Sequence, residues 1–169
     1  MKILSFLLVL LASQNSVSQI QDCQCNGFLI PDQKQIPLYN NNNTQTILYT
    51  IKNDPFNEVY YNFSITKHKK GYLRVIPFSI NDSLKKSGWI KNKNVGIYSA
   101  AYNRILYLYA DSNSQSNVLY SIKEYFPEPL TILSCSGKWL YVEMTLKNKC
   151  YRGWMAPEDQ CSNVYTTCN

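Results

Sequence analysis

Four short apolar runs occur twice in this chain, in the same order, and that repetition limits the available folds more than any other feature. Ile36-Pro37-Leu38-Tyr39 is followed by a polar stretch and then by Ile47-Leu48-Tyr49-Thr50-Ile51-Lys52. Leu106-Tyr107-Leu108-Tyr109 is likewise followed by a polar stretch and by Val118-Leu119-Tyr120-Ser121-Ile122-Lys123. Gly71-Tyr72-Leu73-Arg74-Val75 then answers to Lys138-Trp139-Leu140-Tyr141-Val142, and Gly88-Trp89-Ile90 to Gly153-Trp154-Met155. The spacing drifts from 70 to 71, 67 and 65 residues, changes small enough for loops to absorb. Ordered self-similarity of this kind marks a duplicated structural unit.

Each run reads as a strand. Leu140, Val142 and Met144 alternate with Tyr141 and Glu143, the period-two rhythm of a half-buried strand, and Leu73 and Val75 do the same around Arg74. Turn-forming clusters separate the runs at Asn40 to Asn43, Asn53-Asp54-Pro55, Asp111 to Ser116 and Ser136-Gly137. No long window after the first residues holds a helical apolar rhythm, so the expectation is all-β with short helical turns near Pro157. Units this small bury a modest core, and closing each sheet into a barrel would remove its exposed edges. The units are placed at residues 19–98 and 104–169. Tyr98 to Asn103 joins them without a Pro/Gly/Ser-rich linker, which predicts a fixed pair.

The first 18 residues read as an export signal. Lys2 precedes the apolar run Ile3 to Ala12, and Ser16-Val17-Ser18 offers small residues for cleavage after Ser18. That run is ten residues long, against roughly 20 needed to span a bilayer, and no later segment could span one. Cys23 does not directly follow the run, which argues against a lipid anchor. An exported protein, periplasmic or at the cell surface, is expected. The formal charge of +6 comes from lysines scattered among asparagines and tyrosines, with one cluster at Lys67-His68-Lys69-Lys70 that reads as a solvated hairpin tip. Nucleic-acid binders show a basic stripe or a recognisable motif, and neither occurs.

Six cysteines, Cys23, Cys25, Cys135, Cys150, Cys161 and Cys168, all follow the signal. An even count in an exported chain favours disulfides, but the sequence does not choose the pairing. Cys135 with Cys150 would flank a strand pair, and Cys161 with Cys168 would close a short loop. A Cys23–Cys25 bridge would be strained, so either of them could pair elsewhere. Cys-x-Cys lacks the Cys-x-x-Cys spacing of zinc sites and no histidine is near, so no metal and no cofactor are expected.

Catalysis finds little to work with. His68 is the only histidine and reads as an exposed loop residue. No Gly-x-Ser-x-Gly occurs, and Asp54, Glu58, Glu124, Glu128 and Glu143 are spread over different loops and strands. The reading is non-enzymatic, with no catalytic residues. Aromatic residues are plentiful instead, with 14 tyrosines and three tryptophans. Flat rings with polar tips suit recognition surfaces. Tyr39, Tyr72, Trp89, Tyr107, Tyr109, Trp139 and Trp154 are the candidate groove residues, weighed against a role in packing the core.

An early Leu-Tyr, a Val-Leu-x-x-Ile strand, a Trp-Leu-x-Val strand and a closing Gly-Trp-hydrophobic together resemble the bacterial SH3-like domain. The second unit fits best; in the first, Tyr72 stands where the family often has Trp, and a long loop from Phe78 to Lys86 precedes Gly88-Trp89. Cys23 to Phe28 and Pro157 to Cys161 also look like exported tandem SH3-like proteins of Bacteroidota. The resemblance implies two tandem small SH3-like β-barrels that bind a peptidoglycan peptide or an envelope partner protein. An inhibitor or immunity protein that blocks a toxin or a wall hydrolase is the alternative. Oligomeric state is not indicated.

Overall fold

A computed structural model describes residues 20–31, 35–42, 46–79, 86–124 and 126–165. The expected export signal, Cys168 and most of the loop before Gly88 lie outside the described residues. The protein is all-β: the described residues hold thirteen strands, three short 3-10 turns and no α-helix. No helix among them is long and apolar enough to cross a membrane. The strands are β1 (Gln21–Leu29), β2 (Ile36–Tyr39), β3 (Ile47–Ile51), β4 (Asn62–Lys69), β5 (Tyr72–Phe78), β6 (Gly88–Lys91) and β7 (Val95–Ser99). They continue as β8 (Leu106–Tyr109), β9 (Val118–Ile122), β10 (Leu130–Ser136), β11 (Trp139–Leu146), β12 (Lys149–Met155) and β13 (Gln160–Cys161).

Twelve strands hydrogen-bond in the order β3-β2-β6-β5-β4-β1-β7-β10-β11-β12-β8-β9, with β13 added to β7. The path is open, ending at β3 and β9, and it does not close on itself. Every named pairing is antiparallel, as short connections between successive strands allow.

The repetition in the sequence reappears as repeated register. Ile36 faces Ile51 and Leu38 faces Tyr49, with an irregularity before Tyr39↔Ile47. Leu106 faces Ile122 and Leu108 faces Tyr120, with the same irregularity before Tyr109↔Val118. Ile65↔Val75 and Ile132↔Val142 are each followed by a one-residue bulge in the longer partner, at Thr66 and Leu133. Such an extra residue bends a strand and reverses which side chains face inward. Gly88 and Gly153 are matched too: an added Cβ would lie 3.0 Å from Leu38 at the first and 2.8 Å from Leu108 at the second. Both leucines are fully buried, and the missing side chain is what lets the strands approach.

One apolar core runs through both halves, from Leu38, Ile65 and Leu73 to Leu108, Ile132 and Leu140. Strand β7 is where they meet. Val95 and Gly96 pair with β1, Gly96 and Ile97 with β10, and Tyr98 and Ser99 with β13. Asn92, in the 3-10 turn just before β7, donates its side-chain amide to Leu133 O at 2.9 Å. The buried Asn53 is satisfied on both sides, donating to Leu29 O and accepting from Tyr61 N, each at 3.0 Å. Of the helical turns expected near Pro157, one forms, at Pro157–Asp159.

Two sequence expectations are corrected. Cys135 does not pair with Cys150, because β11 lies between their strands; Cys135 is bonded to Cys23 instead, and Cys25 and Cys150 are free thiols. Cys161 is disulfide-bonded, and its expected partner Cys168 lies outside the described residues. His68 is not an exposed loop residue. The bulge at Thr66 turns it to the same side as its neighbour Leu73, where it is half-buried; only Lys70 and Gly71 form the tip of the hairpin.

Candidate aromatic binding surface

Alternation along β11 sends Leu140 and Val142 to the core, so Trp139 and Tyr141 face the other way. Pairing then extends each face sideways. Leu140, Met155 and Leu108 form one row, all fully buried. One position along, Tyr141, Trp154 and Tyr109 form the opposite row, all half-buried. Trp154 packs on Tyr141 with ring centroids 5.3 Å apart, and Tyr109 meets Trp139 edge to face at 5.5 Å. Tyr107 adds a further ring 6.4 Å from Tyr109. The result is a continuous aromatic surface on the second half of the sheet.

The first half repeats the arrangement with different exposure. Arg74, Trp89 and Tyr39 form the corresponding row, and Tyr39 meets Tyr72 edge to face at 6.0 Å. Tyr72 and Tyr39 thus hold the places of Trp139 and Tyr109. Here Tyr39 and Trp89 are each only 8% exposed, so these two candidates are packing residues in this half. Tyr141 escaped the sequence reading. Its position two residues after Trp139 on an alternating strand was the available signal.

Charge surrounds the second-half surface. Burial raises the Tyr109 phenol above its ordinary range, and the nearby Asp159 and Glu158 raise it further. Asp159 is itself buried and ion-paired with Arg104, which also donates to Glu158 O at 2.8 Å. Burial outweighs that pairing and holds the Asp159 carboxyl above the usual carboxylate range. Next to this surface, Lys138, Pro157 and Gln160 line a cleft of about 170 Å³ together with Gln24, Cys25 and Asn26. Gln160 braces it by donating to Lys138 O at 2.9 Å.

The candidates for catalysis do not converge. His68 Nδ1 lies 3.1 Å from Ser134 Oγ, a serine–histidine contact. Only burial moves the imidazole, lowering its pKa, and no carboxylate contributes as an orienting third member would. Glu143 pairs with Arg152 and Glu124 with Lys147, while Asp54 accepts from the backbone and side chain of Asn57. Cys25 donates to Gly137 O at 3.1 Å, and burial pushes its thiol up to about 11, away from thiolate chemistry. Among the described residues, no three of His, Cys, Asp and Glu gather as metal ligands would.

Compared with family models, curated proteins and solved structures, the chain matches none.

Proposed function

We propose that this chain is an exported, non-catalytic binding module. In this reading, each half is an SH3-like unit, and the aromatic surface of the second half holds a peptidoglycan peptide or an envelope partner protein. The observation that carries it is the row Tyr141–Trp154–Tyr109 with Trp139 and Tyr107. Five large rings stand side by side on the face opposite the core, where packing alone does not require them. Rings with polar tips on a rigid sheet make recognition surfaces of low entropic cost. Repeated register, down to matching bulges, supports two units of one design. The apolar leader and the Cys23–Cys135 disulfide support export. Against catalysis stand Glu124 and Glu143, each engaged in an ion pair, Asp54 held by Asn57, and a histidine without an orienting carboxylate.

Tryptophan fluorescence tests the reading. Titration with a wall stem peptide should quench emission, and Trp139→Ala or Tyr109→Ala should weaken binding by at least about tenfold, as truncating an aromatic anchor does. Tight binding untouched by both substitutions would reject this surface. Pull-down from envelope extract separates the two ligand classes: muropeptides identify a wall binder, and one stoichiometric protein identifies a partner-binding or inhibitory role.

A further inference from the structure

The two halves diverge most at one matched place. In the first half, Ile36, Pro37 and Tyr39 of β2 line an open cleft of about 240 Å³ together with Lys91, Lys93 and Asn94. Residues 65 positions later in the second half are Ala156, Glu158 and Asp159, and the β2 residues match Leu106, Tyr107 and Tyr109. There the acid is already answered within the chain, because Arg104 pairs with Asp159. In the first half, the buried Asn94 replaces that aspartate, and a lysine replaces Glu158. Neither Lys91 nor Lys93 takes part in any ion pair among the described residues.

We infer that the first-half cleft is a carboxylate site that holds the free C-terminal end of a short peptide. Two ammonium groups beside one cleft supply a charge and several donors for an anion. Beside them the cleft offers Pro37, half-buried, with the largely covered Ile36 and Tyr39 behind it. Charge directly beside a small apolar body is the chemistry of a terminal residue, whereas a bare phosphate would leave Pro37 unused. The open cleft of about 240 Å³ has room for one such residue and its carboxylate. The inference deepens the reading of the chain as a peptide-binding module and rests on it.

The test uses the whole secreted chain and N-acetyl-trialanine, either as the free acid or as its C-terminal amide, with binding followed by NMR. The free acid should shift the resonances of Lys91, Lys93 and Tyr39, and the amide should bind at least tenfold more weakly. Lys91→Gln combined with Lys93→Gln should lower acid binding to the level of the amide. Both lysines are at least partly exposed, so the fold should survive, which retained dispersion of the core methyl signals would verify. Equal binding of acid and amide, no binding of the acid, or acid binding retained in the double variant would overturn the inference. So would inorganic phosphate binding the same lysines more tightly than the acid. Trp139→Ala separates the two readings. If it abolishes acid binding, this site falls and the aromatic surface stands. If lysine-dependent acid binding persists while no peptide touches Trp139, the aromatic surface falls and this site stands.

Discussion

Cys23 and Cys135 are joined by a disulfide across 112 residues of sequence, tying the first strand of the sheet to β10 in its second half. The bond reinforces a local contact: Gln24 N donates to Gly137 O and Gly137 N to Asp22 O, at 2.7 and 3.1 Å. Closing so long a loop restrains the unfolded chain heavily, so Cys23→Ala with Cys135→Ala should cost about 2–5 kcal/mol of unfolding free energy in guanidinium titrations. Cys150→Ser, at an exposed free thiol, should leave the midpoint unchanged. Equal losses from the two changes would show that the bond carries no special weight.

His68 predicts a dependence on acid. Burial lowers its folded pKa below the ordinary 6.5, so between those two values the unfolded chain binds more protons than the folded one. Stability therefore rises with pH through that window and is lost as pH falls from about 6.5 toward the folded pKa. The neutral ring can accept from the Ser134 hydroxyl at Nδ1; protonation reverses that bond, so that Ser134 Oγ accepts from the ring, and burial is what opposes the charged form. His68→Gln should flatten this part of the pH–stability curve, and NMR titration of the wild-type imidazole should give a midpoint below 6.5.

Gly153 should tolerate a methyl group poorly. The added Cβ would meet Leu108 Cβ at 2.8 Å and Tyr109 O at 3.1 Å, and a backbone oxygen cannot step aside as a side-chain end can. Gly153→Ala should cost about 1–3 kcal/mol, read as a lowered midpoint in thermal unfolding. Gly88→Ala should cost less, since the three atoms nearest to its added Cβ all belong to the Leu38 side chain, at 3.0 Å or more, and none to the backbone.

The duplication was legible because side-chain alternation writes strand register directly into sequence. Its drift has a structural origin as well. Tyr39↔Ile47 becomes Tyr109↔Val118 with one residue added to the hairpin, and Val75↔Gly88 becomes Val142↔Gly153 with two residues removed. The bulges were not legible, since one extra residue in a strand leaves no compositional mark. His68 shows the consequence: its lysine neighbours read as solvent, yet the bulge gives it the place that Cys135 holds in the second half, opposite Leu73 as Cys135 is opposite Leu140. Disulfide pairing was hidden for another reason. It depends on β1 lying beside the β10–β11 turn, a contact between distant segments that local spacing does not encode. Five of the candidate aromatic residues are half-buried, whereas Tyr39 and Trp89, in the matching row of the first half, are covered.

Strand β7 has a consequence for how such a chain can be divided. It ends at Ser99, just where the sequence suggested a boundary between units, and it lends hydrogen bonds to β1, β10 and β13 alike. A cut on either side leaves one fragment holding the strand and the other with a raw edge. Separating the halves at the visible repeat should therefore expose an unpaired strand edge in one of the two fragments.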